Sequence, residues 1–221
     1  MTSAELEQTA QRLSQSLRRT SEGETIGPLY PAILRLIARG KPATPEEIAA
    51  ATGVSLQEIR AQIGSMTDVE TDSDGNLVGM GLTQRPTPHQ FRIGERRLYT
   101  WCALDTLMYP ALLGEPATVE SPCRATSEPV RVEIGPAGIR AVAPEDAVVS
   151  IVVPEDCCAT IRSGFCNEVH FFASRDAASG WLGDHPGAMI VSVQQAFELG
   201  RLINSATGAG EGQTSMLRET R

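Results

Sequence analysis

The 221-residue chain carries 19 Lys and Arg against 27 Asp and Glu, a formal net charge of −8, with 41% hydrophobic and 21% charged residues. This is the composition of a folded chain with room for a core, and the acid excess argues against a general nucleic-acid binder, which needs a basic face for phosphate. No apolar run approaches the ~18 residues of a membrane span, and residues 1–19 lack a signal-peptide apolar core, so a soluble, cytoplasmic protein is expected.

In chain order, residues 4–19 place Leu6, Ala10, Leu13 and Leu17 on one face of an amphipathic helix. A second helix is predicted over 28–38, closed by Gly40. Thr44-Pro45-Glu46-Glu47 opens a third with an N-cap, a proline at the first position and acids in the first turn. Gly53 ends that helix, and Ser55 caps a fourth carrying Leu56, Ile59 and Ile63. Ser73-Asp74-Gly75-Asn76 then reads as a hairpin turn between short strands. Together these predict a winged-helix-like N-terminal domain over 1–85.

That topology often binds DNA, but residues 1–85 hold eight basic side chains against eleven acids. The helix that would enter a groove offers only Arg60, Gln57 and Gln62, and its wing carries Asp68, Glu70, Asp72 and Asp74. Such a wing repels phosphate, so the module reads as structural and the acidic turn as a solvated one.

A connector over 83–90 and a short stretch over 91–97 lead to an apolar helix predicted over 98–113, ending at Gly114. Strands follow over 117–121, 130–134, 139–142 and 148–153, with proline- and glycine-bearing turns between them. Residues 169–173 read as a strand, 176–182 as a helix, 189–191 as a strand and 194–204 as a closing helix. The second half, 86–204, is thus predicted as a mixed or antiparallel sheet with flanking helices, making the whole chain α+β. The Gly/Ser/Thr-rich tail over 205–221 is expected to be mobile.

Five cysteines carry the candidate chemistry: Cys102, Cys123, Cys157, Cys158 and Cys166. Their odd number, with no CxxC and three scattered histidines, suggests neither a disulfide framework nor a zinc site. Within Trp101-Cys102-Ala103-Leu104-Asp105, Cys102 and Asp105 are three apart and share a face if the segment is helical. A carboxylate there can take the thiol proton and return it, and a free thiol with its pKa of ~8.5 needs such help at neutral pH. Cys166 follows Gly164 just ahead of the strand that holds His170. Two thiolates from distant segments would make a soft-metal site, but spacing alone does not bring Cys102 and Cys166 together.

Residues 98–114 (LYTWCALDTLMYPALLG), Phe165-Cys166, Val169-His170-Phe171-Phe172-Ala173-Ser174 and the later Ile190-Val191-Ser192-Val193 resemble organomercurial (alkylmercury) lyases. The likeness extends more weakly over 27–204. It implies protonolytic cleavage of a carbon–mercury bond to a hydrocarbon and Hg(II). The family's catalytic trio falls on Cys102, Cys166 and Asp105, which would also hold the mercury. No organic cofactor is implied, an external thiol is expected for turnover, and a mercuric reductase is the implied recipient of Hg(II). Cys123 matches a structural cysteine of the family. Cys157 and Cys158 match nothing in its motif and read as incidental thiols. Trp101 and Tyr99 flank Cys102 and are candidates to wall an apolar pocket, and His170 reads as packing. Two other readings remain at this point: a winged-helix regulator sensing soft metals, and a thiol carrier that binds without cleaving. Asp105 argues against the carrier, which needs no proton relay.

Overall fold

The computed structural model describes residues 1–19, 29–154 and 160–206. Cys157, Cys158 and residues 207–221 lie outside them, so the expectations for the paired cysteines and for most of the tail fall there; Ser205 and Ala206 belong to the last helix.

Helix α1 (Ser3–Arg19) is followed by α2 (Tyr30–Ile37), α3 (Pro45–Thr52) and α4 (Leu56–Ser65). The predicted caps are all present. Thr44 and Glu47 form a reciprocal capping box at α3, and the Ser55 side chain accepts from Glu58 N at α4. Ile33, Leu34, Ile37, Ile48 and Ile59 are buried where these helices converge. The wing follows as β1 (Glu70–Thr71) and β2 (Leu77–Met80), and Leu77 bridges back to Ala43.

The wing is not a separate layer. Strands β3 (Leu82–Thr83), β4 (His89–Ile93), β5 (Arg96–Thr100), β6 (Ala117–Pro122), β7 (Pro129–Gly135) and β8 (Gly138–Ala143) join it in one antiparallel sheet. Its order is β1-β2-β3-β5-β4-β6-β7-β8. Leu82 pairs with Thr100 and Thr83 with Tyr99, so the wing is hydrogen-bonded directly to the strand that leads into the WCALD segment. A second antiparallel sheet has the order β10-β9-β11, from β9 (Val148–Ile151), β10 (Phe171–Phe172) and β11 (Met189–Ser192). Helix α5 (Ala103–Leu113) and the C-terminal α8 (Val193–Ala206) pack together, and α1 lies along α8. The short α6 (Ile161–Gly164) and α7 (Ser179–Asp184) complete the described elements.

Four predictions need correction. The connector expected over 83–90 overlaps β3 at Thr83 and β4 from His89, and the short stretch over 91–97 belongs to the β4–β5 hairpin, which turns at Gly94. The helix expected over 98–113 starts only at Ala103, because Leu98-Tyr99-Thr100 pair across β4 and extend the sheet. The strand expected over 169–173 shrinks to Phe171–Phe172, and the helix expected over 176–182 runs Ser179–Asp184. The error at 98–113 arose where an apolar run had to be given to strand or helix without its hydrogen-bond partners, and pairing with β4 decided the outcome.

Candidate functional site

Cys102 sits between β5 and α5, in extended conformation, as the N-cap of α5. Asp105 is the third residue of that helix. Its Oδ2 accepts from Cys102 N at 3.1 Å, while the Cys102 side chain faces the Asp105 N–H, a capping box with cysteine in the place usually held by serine or threonine. The two side chains therefore meet across a helix N-terminus rather than along a helix face, which corrects the i,i+3 geometry expected from sequence. The helix end also favours negative charge there. At the other end, α5 stops at Gly114 in the left-handed conformation that glycine adopts without strain.

Cys166 opens a single 3₁₀ turn, Cys166–Glu168, directly after α6. Its segment is tied to α5 by Ala103 N donating to Val169 O at 3.1 Å. Ser150 of β9 donates to Glu168 O and accepts from His170 N, fastening the far side of the turn. The result is that both sulfurs and an Asp105 carboxylate oxygen all lie within 4.8 Å of one another. Cys102 is fully buried and Cys166 only 4% exposed.

The electrostatics follow from enclosure. Burial, with the Cys166 contact and the Asp105 charge, pushes the Cys102 thiol well above the ordinary range. The contact with Cys102 favours a Cys166 thiolate, but burial and the Asp105 and Asp68 carboxylates outweigh it, and that thiol is also raised. Burial raises Asp105 to about 6, tempered by hydrogen bonds from Cys102 and Tyr109. Three acidic groups this close together, two buried and Asp105 half-buried, cannot all ionise, so the resting site holds two protonated thiols beside a carboxyl that titrates at about 6. Such a group can exchange protons at physiological pH.

Sequence reasoning missed several residues at this site. Tyr109, one turn after Asp105, receives a hydrogen bond from the Tyr30 hydroxyl at 2.8 Å. Gly81 makes this possible: with φ +75, an added Cβ would lie 2.0 Å from the Tyr109 hydroxyl. The wing carboxylates are the second omission. Asp68 and Glu70 are buried, at 7% and 8% exposure, and not solvated as expected. Asp68 accepts from Ile161 N at 2.5 Å and Arg162 N at 3.3 Å. Glu70 accepts from Trp101 Nε1, Thr83 Oγ1 and Arg162 Nη1. The signal was Asp-x-Glu at the start of a wing strand, but its partners lie about ninety residues on. Trp101 is thus held by Glu70 and covered by the Arg162 guanidinium at 4.6 Å, whereas Tyr99 is half-buried on β5.

Cys123 is buried outside the cluster, with its N–H donating to Glu128 O. Burial alone would raise its thiol, but hydrogen bonds from Thr126, Ala173 and Ala125 bring it below the ordinary value. His170 packs on Phe172 and Trp181, and burial lowers it to about 4, in keeping with packing.

Two family models cover the chain. The one for alkylmercury lyase matches residues 82–205, and the one for the helix-turn-helix domain of alkylmercury lyase matches 8–81. The chain belongs to the alkylmercury lyase family. The alkylmercury lyase of Bacillus cereus is 45% identical over 201 residues, covering 91% of this chain and 92% of that protein. The Streptomyces lividans alkylmercury lyase is 49% identical over 183 residues, 83% of this chain and 85% of its own length. A solved structure described as the mercury-bound form of MerB2 superposes with a TM-score of 0.73 at 25% identity, covering 92% of this chain and 99% of that one. As a member of the lyase family the chain is an enzyme, and its α+β fold with an N-terminal helix-turn-helix is the one expected. No helix among the described residues is long and apolar enough to cross a membrane.

Proposed function

We propose that this member of the lyase family cleaves the carbon–mercury bond of alkyl or aryl mercury compounds by protonolysis, with Cys102, Cys166 and Asp105 as its catalytic residues. The observation that carries the reading is the convergence of two buried thiols and one carboxyl of raised pKa within 4.8 Å. A structural cysteine needs no such neighbours, and a carrier needs no carboxyl with a pKa close to neutrality.

Each step balances in atoms and charge. The first thiol displaces the ligand of the incoming R–Hg⁺ group, forms a sulfur–mercury bond, and its proton departs with that ligand. The second thiol binds the same mercury and yields its proton to the Asp105 carboxylate. Mercury is soft, so both sulfurs bind it in preference to harder ligands. Its charge offsets the burial penalty that keeps the empty site's thiols protonated. Two thiolates push electron density onto the metal and make the carbon basic. The Asp105 proton moves to that carbon as the Hg–C bond breaks, giving R–H, an ionised Asp105 and Hg(II) on two sulfurs.

Release requires an external thiol, and a mercuric reductase is the proposed recipient. The proposed setting is the cytoplasm, where thiols are kept reduced. No organic cofactor enters any step. Cys123 is assigned to structure, and Cys157 and Cys158 are dispensable.

The test is headspace detection of hydrocarbon from phenylmercury or methylmercury with excess thiol. The protein is expected to release it, and Cys157→Ser/Cys158→Ser to do the same. Full release by Cys166→Ser would overturn the two-thiolate mechanism. A soft-metal regulator would instead show DNA binding that changes with Hg(II), which the −8 net charge disfavours.

A further inference from the structure

The two reacting segments come from far apart in the chain; Ala103 N donating to Val169 O joins them on the far side of the 3₁₀ turn, and the near side, α6, is held by side chains. Cys102 follows Trp101 at the end of β5. Cys166 follows the four-residue α6, which is too short to hold itself in place. Glu70 touches both. Its Oε1 accepts from Trp101 Nε1 at 3.2 Å, beside Cys102, and from Arg162 Nη1 at 2.6 Å, four residues ahead of Cys166. Its Oε2 accepts from Thr83 Oγ1 at 2.5 Å, which anchors the carboxylate to β3 and so to the sheet. Arg162 also lies over the Trp101 ring, and Asp68 accepts both Ile161 N and Arg162 N at the start of α6.

We propose that Glu70, on the wing of the helix-turn-helix, is a positioning residue that sets the spacing of Cys102 and Cys166 by bridging Trp101 to Arg162. This rests on the two-thiolate reading above. In consequence the helix-turn-helix module serves the reaction directly: its wing carries the strut that lets both sulfurs reach one mercury. A buried carboxylate with donors from three separate segments is costly to enclose unless all of them are satisfied. Here all three are, and two of them flank the reacting cysteines.

A chelate of two sulfurs resists a monothiol competitor because its second bond forms at high effective concentration, and that advantage is lost when the spacing slackens. Glu70→Ala is therefore expected to lower kcat about 10- to 100-fold with KM little changed. The monothiol concentration that strips half of the bound Hg(II) should fall about tenfold. Arg162→Gln weakens the same bridge from its more exposed side, keeps a hydrogen-bond donor for Glu70, and should shift both readouts in the same direction. Each variant is compared with Cys166→Ser on the full chain. Loss of both kcat and Hg(II) retention in Arg162→Gln, with Cys166→Ser inactive, supports the strut. A wild-type kcat and wild-type Hg(II) retention in Arg162→Gln, with Cys166→Ser inactive, overturn it while leaving the two-thiolate reading intact. An active Cys166→Ser overturns both. If Glu70→Ala loses thermal stability but keeps kcat and Hg(II) retention, Glu70 is a structural bridge only and the proposal fails.

Discussion

Cys102 is held by its own neighbours, at a strand end, a helix N-cap and a carboxylate three residues on, whereas Cys166 is held by residues from other parts of the chain. Its flanking α6 and 3₁₀ turn are anchored by Asp68, Glu70, Ser150 and Ala103. The difference shows how a two-thiol site divides its work. One sulfur is built into the sheet–helix junction together with its proton acceptor, and the other is brought up to it by polar contacts that span the molecule. Local capping gives the first its rigidity, and long-range hydrogen bonds give the second its register.

Removing either sulfur is the strongest way to break the comparison. Cys102→Ser and Cys166→Ser are each expected to abolish hydrocarbon release, because one thiolate cannot both hold mercury and activate the carbon. Residual turnover in one but not the other would show that the two ends are unequal in chemistry as well as in support. Asp105→Asn keeps an oxygen for the Cys102 N–H but loses the proton acceptor, and turnover should fall about 10²- to 10⁴-fold. The same variant tests the cost of the site. The Asp105 carboxyl is raised from 3.8 to about 6, so between those values the folded protein binds the extra proton and stability falls as pH rises. At pH above about 6 the variant should be more stable than wild type, by up to about 3 kcal/mol in urea unfolding, and near pH 4 the difference should vanish.

The pH profile sharpens the account of the first end. kcat/KM should rise through about 6 as Asp105 ionises. The Tyr109 hydrogen bond holds that value down, so Tyr109→Phe should move the acid limb to higher pH by a measurable fraction of a unit. An unmoved limb would place the titrating group elsewhere. The smallest effect is reserved for a cap remote from both cysteines: Thr44→Ala should cost about 1 kcal/mol in thermal or urea unfolding and leave kcat unchanged.

The contrast between the two ends is also the contrast between what could and could not be read from the residues. Helices capped by Thr44 and Ser55, the turn at Asp74-Gly75 and the alternating strand around Val130, Val132 and Ile134 carry local signals, and the structure contains them. The pairing of Cys102 with Asp105 was visible as a spacing, yet its geometry was misread, because cysteine is an uncommon N-cap and Leu98-Tyr99-Thr100 suit strand or helix equally. Spacing could not bring Cys166 to Cys102; family resemblance implied it. The Glu70 bridge was invisible for a physical reason. Its donors at Trp101 and Arg162 lie 31 and 92 residues away, and an acidic wing without its partners reads as solvated.

The most direct test of the central claim is the reaction in D₂O with phenylmercury or methylmercury and excess thiol, the hydrocarbon being analysed by mass. The account predicts product carrying a single deuterium from the protein, because the atom delivered to carbon comes from an exchangeable thiol by way of Asp105, and no product from Cys166→Ser. Undeuterated hydrocarbon, or full yield from Cys166→Ser, would contradict it.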